Sequence, residues 1–172
     1  MLHSALSTEY ESVALSEEHD VVEFDCGVSS LNAWLADQAL RAQHAGTART
    51  FVWVTPATPG RVWAYYSLAP TEVARDVLSR GQSSGYSIVP GYLLGRLAVH
   101  TDLRGLGYGG QVLVDALSRA AVAAEAGGGR LVVVDALDDA AASFYRHHDF
   151  TPVKGNPRRL VLKMASIRQL LE

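Results

Sequence analysis

The sequence has one cysteine, no long apolar run, and neither Lys nor Arg in residues 1–25. With Cys26 alone no internal disulfide can form, and a small buried thiol is expected rather than a nucleophile. No apolar run approaches the ~20 residues that a bilayer-spanning helix needs, so we expect no membrane partner. The N-terminus lacks the basic start and apolar core of a secretion signal. These absences predict a cytoplasmic protein.

Length and composition predict a single domain over residues 1–172. Hydrophobic residues make up 48% and charged residues 19% of the chain, a balance typical of globular proteins. The formal net charge of −3 argues against nonspecific nucleic-acid binding. Charge is uneven, however, since the acidic start contrasts with a basic stretch after Ala140. That stretch is a phosphate-binding face, a solvated surface or a partner of the acidic start. It contains Arg146, Lys154, Arg158, Arg159, Lys163 and Arg168.

Periodicity predicts a mixture of strands and helices. Strands are expected where apolar residues alternate or form short runs, at 11–15, 49–55, 61–68, Tyr92 to Val99, 131–134 and 160–162. Helical spacing predicts three helices, namely one capped by Ser29 or Ser30 and ending at Gly46, one ending at 127–129, and one over 140–148 capped by Asp138 or Asp139. Residues 79–85 have the composition of a loop.

The most informative segment joins the apolar strand ending at Val99 to the long helix. It reads Arg104-Gly105-Leu106-Gly107-Tyr108-Gly109-Gly110, so four glycines fall within six residues. The first N–H groups of a helix have no intrahelical partner and carry a partial positive charge. A loop without side chains at that point predicts a seat for a phosphate or pyrophosphate, and Arg104 adds a permanent cation.

Two common phosphate-binding motifs fit this segment poorly. A P-loop needs Lys followed by Ser or Thr after its last glycine, whereas Gly110 is followed by Gln111 and Val112. The glycines at 105, 107 and 110 have the G-x-G-x-x-G spacing of a dinucleotide-binding fold, but that motif usually lies near the start of a βαβ series, whereas this segment lies past the middle of the chain. The pattern that matches is Arg-x-x-Gly-x-Gly over 104–109.

That pattern resembles the acetyl-CoA pyrophosphate loop of GCN5-related N-acetyltransferases, the GNAT superfamily. The resemblance implies an α/β (α+β) fold whose mixed central sheet is splayed at the strand from Tyr92 to Val99 and flanked by helices. It also implies acetyl-CoA as cosubstrate, without a metal. The cofactor-binding residues that it implies are the backbone of Leu97, Ala98 and Val99 for the pantetheine arm, and Arg104, Gly105, Leu106, Gly107, Tyr108, Gly109 and Gly110 for the pyrophosphate.

Tyr145 is the candidate catalytic residue. It lies in Ala142-Ser143-Phe144-Tyr145-Arg146, which resembles the A-x-x-F-Y segment of the last helix in this superfamily. A phenol with an ordinary pKa near 10 is protonated at neutral pH and can donate a proton to the departing CoA thiolate. The alternatives for acid–base work are His100, His147 and His148, and the carboxylates Glu72 and Asp76.

A narrower resemblance covers most of the chain. Phe24-Asp25-Cys26-Gly27 followed by Leu31-Asn32-Ala33-Trp34-Leu35 is similar to the start of GNAT-type toxins of bacterial toxin–antitoxin modules, as are Tyr65-Tyr66-Ser67-Leu68, Leu94-Gly95-Arg96-Leu97-Ala98-Val99 and Val134-Asp135-Ala136. The resemblance implies acetylation of the α-amine of aminoacyl-tRNA, which blocks translation. It also implies a ribbon–helix–helix antitoxin and a homodimer. The arginines expected to hold tRNA phosphates, besides the basic C-terminal half, are Arg41, Arg49, Arg75, Arg80 and Arg96.

Two alternatives remain open at this point. The first is a GNAT acetyltransferase of a small-molecule amine or a protein N-terminus, for which a carboxylate-lined acceptor pocket would be the distinguishing feature. The second is a CoA-binding regulatory module without catalysis, against which Tyr145 and the intact loop over 104–109 argue.

Overall fold

The computed structural model describes residues 9–172. The segment Met1-Leu2-His3-Ser4-Ala5, for which we expect no secretion signal, lies outside the described residues. The chain divides into two compact units. The first holds residues up to Ser67 together with Arg96–Asp115, and the second holds Leu68–Gly95 together with Ala116–Glu172. The prediction of a single domain over residues 1–172 stays a prediction.

A seven-stranded mixed sheet is the framework. Its strands are β1 (Glu11–Ala14), β2 (Arg49–Val54), β3 (Ala64–Ala74), β4 (Ile88–Val99), β5 (Leu131–Asp135), β6 (Thr151–Val153) and β7 (Asn156–Lys163). They lie in the order β1-β2-β3-β4-β5-β7-β6. β4 and β5 pair in parallel, whereas β1 with β2, β5 with β7, and β6 with β7 are antiparallel. This confirms the mixed sheet that the resemblance implies.

The helices are α1 (Ser29–Asp37), α2 (Ala39–Ala45), α3 (Arg80–Ser83), α4 (Tyr108–Gly127), α5 (Asp139–His147) and α6 (Met164–Leu170). Short 3-10 turns cover Arg75–Val77 and Thr101–Leu103. Within residues 9–172, no helix combines the length and the apolar character needed to cross a bilayer. The end of the long helix at Gly127 and the cap of α5 by Asp138, whose Oδ1 accepts from the Ala141 N–H at 2.8 Å, confirm two predictions.

The core of the first unit lies between α1, α2 and the strands. Tyr65 on β3 is fully buried, and its hydroxyl donates to the Leu31 carbonyl at 2.6 Å, which ties β3 to α1. Phe24 packs edge-on against the Tyr65 ring, with centroids 5.4 Å apart. Cys26 is buried in the same cluster, and burial raises the pKa of its thiol. The prediction of a small buried thiol is therefore confirmed, and this core supports the segment before α1.

The core of the second unit is aliphatic. It is built from buried residues of β3, β4, β5, β6, β7 and the segment before α3, namely Val73, Leu78, Val89, Leu131, Val133, Val153 and Val161. Burying each such side chain contributes about 1.5–3 kcal/mol relative to leaving it in water. At the end of α4, the Tyr92 hydroxyl donates to the Gly128 carbonyl at 2.8 Å. The first half of β4 is therefore held firmly beside β5.

Three local predictions are wrong. Ser29 and Ser30 do not cap α1, because Val28 is the N-cap and the Asp25 and Asn32 side chains close the preceding turn. The helix expected to run to Gly46 is broken at Gln38 into α1 and α2.

The segment 79–85 is not all loop, since it contains α3. Ser79 and Gln82 form a reciprocal capping box, in which the Ser79 Oγ accepts from the Gln82 N–H and the Gln82 Oε1 accepts from the Ser79 N–H. Two paired backbone donors stabilise a helical turn despite the polar composition. β6 and α6 were not predicted at all.

Candidate functional site

The glycine-rich segment forms a tight connection between β4 and α4. A 3-10 turn over Thr101–Leu103 is capped by His100, whose Nδ1 accepts from the Asp102 N–H at 3.1 Å. Gly105 and Gly107 then adopt left-handed backbone, with φ of +77° and +82°, and a Cβ at either position would meet no atom within 4 Å. Helix α4 thus begins behind an open loop. That arrangement exposes its first N–H groups to an anion.

Aromatic and carboxylate contacts hold the start of α4 within the first unit. The Tyr108 ring packs edge-on against Tyr10 and Trp53, with centroids 5.4 and 6.3 Å apart. Two turns further along α4, Asp115 accepts from the Trp53 Nε1–H at 3.3 Å and from the Tyr66 hydroxyl at 2.8 Å. The ring of Tyr108 is buried in this packing. The role of Tyr108 toward a ligand stays a prediction.

Arg104 lies beside a neighbouring turn of the first unit. Its Nη2 donates to the Cys26 carbonyl at 2.6 Å. The same nitrogen lies over Gly27, where an added Cβ would be 2.5 Å away. The guanidinium is thus already bonded to protein, and its role toward a phosphate stays a prediction.

The end of β4 extends past its pairing with β5. The registered pairs between these strands run from Gly91 with Leu131 to Leu94 with Val134, whereas β4 itself continues to Val99. Leu97, Ala98 and Val99 therefore lie beyond the part of β4 that pairs with β5, while the Ala98 side chain is buried in the core of the first unit. Unpaired backbone groups at a strand edge can bind an extended ligand as an added strand would.

Tyr145 lies on α5, in the second unit. The side chain is buried between Phe144 and Phe150, with ring centroids 5.2 and 5.4 Å away. Burial raises the pKa of the phenol above its ordinary value. Within residues 9–172 we find no hydrogen bond to the Tyr145 hydroxyl. The geometry therefore provides a protonated phenol that is free to donate a hydrogen bond or a proton.

The histidines considered as bases make structural contacts. The His100 ring is buried and packs against Phe24 and Trp63, with its Nδ1 already accepting a hydrogen bond. His148 places its Nδ1 2.9 Å from the Phe144 carbonyl, and its ring contacts His147. In the described part of the chain, no group of three or more His, Cys, Asp or Glu side chains is arranged to hold a metal ion.

A cavity of about 550 Å³ in the first unit was missed by sequence reasoning. It is lined by three carboxylate residues, one guanidinium, one imidazole and three further residues, namely Glu18, Asp20, Glu23, Arg61, His100, Phe24, Gly60 and Val62. Arg61 stacks over the Trp63 ring at 3.8 Å and pairs with Asp102 at 3.3 Å. The lining comes from three distant segments, and no spacing along the chain marks them as neighbours. Its excess of carboxylates suits a cationic group.

The basic C-terminal stretch is partly neutralised within the second unit. Arg158 pairs with Asp139 at 3.2 Å and Arg159 with Asp135 at 3.6 Å. Arg146 is exposed in the last turn of α5. The phosphate-binding capacity expected of this stretch therefore rests more on Arg146 than on the two paired arginines.

Comparisons with known proteins agree on one family. The model of the acetyltransferase (GNAT) domain matches residues 34–152. The chain is 37% identical over 158 residues to a tRNA-acetylating toxin of Mycobacterium tuberculosis, covering 91% of this chain and 93% of that protein.

Two solved structures of the toxin AtaT are also similar to this chain. AtaT complexed with acetyl-methionyl-tRNAfMet matches with a TM-score of 0.87 and 27% identity, covering 95% of this chain and 99% of that one. A tyrosine-to-phenylalanine variant of the AtaT toxin, bound to the C-terminus of the antitoxin AtaR and acetyl-CoA, matches with a TM-score of 0.81 and 27% identity, covering 95% and 98%. Both likenesses extend over nearly the whole chain.

Proposed function

The chain belongs to the GNAT acetyltransferases, and on that premise we propose that it transfers the acetyl group of acetyl-CoA to the α-amine of aminoacyl-tRNA. It would act in the cytoplasm as the translation-blocking toxin of a toxin–antitoxin pair. The observation that carries the proposal is the 37% identity, over nearly all of both chains, to a tRNA-acetylating toxin. The matching AtaT structure with acetyl-methionyl-tRNAfMet supports the acceptor class.

The cofactor residues are proposed on local geometry. Leu97, Ala98 and Val99 offer backbone groups beyond the pairing of β4 with β5, which suits the amides of a pantetheine arm. Residues 104–110 offer the open glycine loop and the first N–H groups of α4, which suit a pyrophosphate. In this protein the loop members are Arg104, Gly105, Leu106, Gly107, Tyr108, Gly109 and Gly110.

Tyr145 is proposed as the general acid. The amine nitrogen of the acceptor attacks the thioester carbon, a tetrahedral oxyanion forms, and the C–S bond then breaks to release the CoA thiolate. The Tyr145 hydroxyl gives its proton to that sulfur, the attacking ammonium loses one to solvent, and solvent returns a proton to the Tyr145 phenolate. A buried phenol with a raised pKa remains protonated at neutral pH, as this role requires.

Two partners belong to the proposal. The first is an antitoxin, since the matching AtaT structure is bound to the C-terminus of the antitoxin AtaR. Its ribbon–helix–helix part is what the resemblance to GNAT-type toxins implies. The second is another copy of this chain in a homodimer, which the resemblance to GNAT-type toxins implies.

A second candidate is acetylation of a small-molecule amine or a protein N-terminus. The carboxylate-lined cavity near His100 favours it, because Glu18, Asp20 and Glu23 would attract an ammonium group. The cavity fits either candidate if the aminoacyl group is the part that enters it. An acetyl-transfer experiment therefore decides between aminoacyl-tRNA and the second class of acceptor.

The deciding experiment is transfer of labelled acetyl from acetyl-CoA to a pool of charged tRNAs. We expect label on aminoacyl-tRNA and none on uncharged tRNA, because only the ester-linked amino acid carries an α-amine. Label on polyamines or peptide N-termini instead would replace the acceptor with the second candidate. Binding of acetyl-CoA without transfer to any amine would make the protein a non-catalytic CoA-binding module.

Reversing the charge of Arg146 tests the phosphate-binding face. For Arg146→Glu we expect a weaker tRNA affinity and a salt dependence whose slope is lower by about one, as for the loss of one phosphate contact. Arg158→Glu is the comparison, and its effect should be smaller because Asp139 already pairs with Arg158. Filter binding at several salt concentrations measures both. Unchanged binding in both variants would remove this face from the tRNA interface.

A further inference from the structure

The turn before α1 is closed by side chains of the segment that resembles the toxin motif. The Asp25 Oδ1 accepts from the Gly27 N–H at 2.8 Å and from the Asn32 Nδ2 at 3.0 Å. The Asn32 Oδ1 accepts from the Cys26 N–H at 2.9 Å. The Gly27 and Asn32 donors also lower the pKa of Asp25. Asp25–Cys26–Gly27 is therefore a rigid platform anchored to α1.

The same platform is bonded to the connection after β4. The Thr101 N–H donates to the Asp25 carbonyl at 2.9 Å, and the Arg104 Nη2 donates to the Cys26 carbonyl at 2.6 Å. A charged donor on a carbonyl makes the second bond stronger than one between neutral groups. The two bonds fasten the entrance of the glycine loop to the start of α1, within the first unit.

Gly27 is the residue that makes room for this arrangement. Its φ is +83°, which residues with a side chain rarely adopt, and its missing Cβ would lie 2.5 Å from the Arg104 Nη2. Any other residue would strain the backbone and push the guanidinium off the Cys26 carbonyl. The Arg104 guanidinium therefore bonds to the Cys26 carbonyl and occupies the space that the missing Gly27 side chain leaves free.

We propose that Arg104 is a positioning residue, which holds the entrance of the glycine loop on the Asp25–Cys26–Gly27 platform while the loop amides contact the phosphates. This inference rests on the proposed function in one respect, namely that the loop binds acetyl-CoA. Cys26 and Arg104, which are 78 residues apart in the chain, then act together to hold the loop in place. It also means that the start of α1 and the cofactor loop move together.

The test compares Arg104→Ala, Gly27→Ala and the double variant, with Gly46→Ala as the matched control. Gly46 also has a positive φ, of +75°, but an added Cβ there meets nothing within 4 Å. The control therefore carries the backbone strain without the loss of the contact. Acetyl-CoA affinity is measured by calorimetry at several salt concentrations. Hydrogen exchange of residues 104–110 is measured in the cofactor-free protein, so that one readout does not depend on cofactor binding.

We expect each single variant to weaken acetyl-CoA binding about tenfold, as for loss of one charge-assisted hydrogen bond. The double variant should bind acetyl-CoA as tightly as the single variant with the lower affinity, because both changes break the same contact. Exchange of the loop amides should rise in all three and stay unchanged in Gly46→Ala. The salt dependence of binding should remain that of the unmodified protein.

Other results overturn the proposal. If Arg104→Ala weakens binding and flattens the salt dependence while Gly27→Ala binds normally, Arg104 is a phosphate ligand. Additive effects in the double variant would also reject a shared contact. Should Gly27→Ala not fold, Asn32→Ala replaces it, since it removes two bonds of the platform. If the unmodified protein does not bind acetyl-CoA, the proposed function fails, and the exchange measurement still decides the positioning role.

Discussion

Tyr145→Phe is expected to lower kcat by about a hundredfold to ten-thousandfold, the range for loss of a general acid. The substitution removes one hydroxyl and keeps the ring that packs between Phe144 and Phe150. Stability and acetyl-CoA affinity should therefore stay close to those of the unmodified protein. Steady-state transfer of labelled acetyl to charged tRNA gives kcat, and calorimetry gives the affinity. Turnover at the unmodified rate would remove Tyr145 from the chemistry.

The pH profile separates this role from a packing role. Burial raises the pKa of Tyr145, so its acid form persists from neutral pH to beyond pH 10. The rate of the unmodified protein should rise with pH as the acceptor α-amine loses its proton, without a fall up to about pH 9. The Phe variant should keep that rising limb at a lower rate. A fall between pH 7 and 9 that disappears in the variant would show that Tyr145 titrates there, contrary to its burial.

Features set by neighbouring residues were predictable from the sequence. The glycine loop was placed correctly between a strand and a helix because Gly105 and Gly107 stand where the backbone turns left-handed. The cap of α5 was narrowed to Asp138 or Asp139, and it is Asp138, whose carboxylate reaches an N–H only three residues away. In each case the interaction that decides the structure lies within one turn of the residue that signals it.

Predictions failed where a short-range signal competed with a contact that the pattern does not encode. Ser79 looked like part of a polar loop, yet its reciprocal bonds with Gln82 make it the cap of α3. Ser29 and Ser30 looked like caps, but the bonds between Asp25 and Asn32 place the helix start elsewhere. Composition alone does not say which of two nearby polar groups closes a turn.

Long-range contacts define the parts of the candidate site that sequence reasoning missed. Arg104 bonds to Cys26, and Trp53 and Tyr66 bond to Asp115, across 49 to 78 residues of chain. The carboxylates of the cavity likewise face Arg61 and His100 from a distant segment. Such pairs arise from the topology of the sheet. No periodicity of the sequence reports them.

Gly91 presents a severe steric constraint on β4. It is buried in the second unit and is the register partner of Leu131 on the parallel strand β5. A Cβ at this position would lie 2.5 Å from the Leu131 carbonyl oxygen and 3.2 Å from its carbonyl carbon. Those atoms belong to backbone, which no rotamer change can move aside. A side chain here therefore forces the two strands apart and breaks their hydrogen bonds.

For Gly91→Ala we expect a loss of about 3 kcal/mol in the free energy of unfolding, which corresponds to a fall in Tm of about 6–12 °C for a chain of this size. Thermal and urea unfolding measure it. Gly127→Ala is the control, since Gly127 ends α4 with nothing within 4 Å of an added Cβ. Removing a helical glycine there should leave stability unchanged or raise it by up to about 1 kcal/mol. Equal Tm values for the two variants would mean that β4 and β5 can separate at Gly91 without cost, and the close packing of these strands would then not be what holds the second unit together.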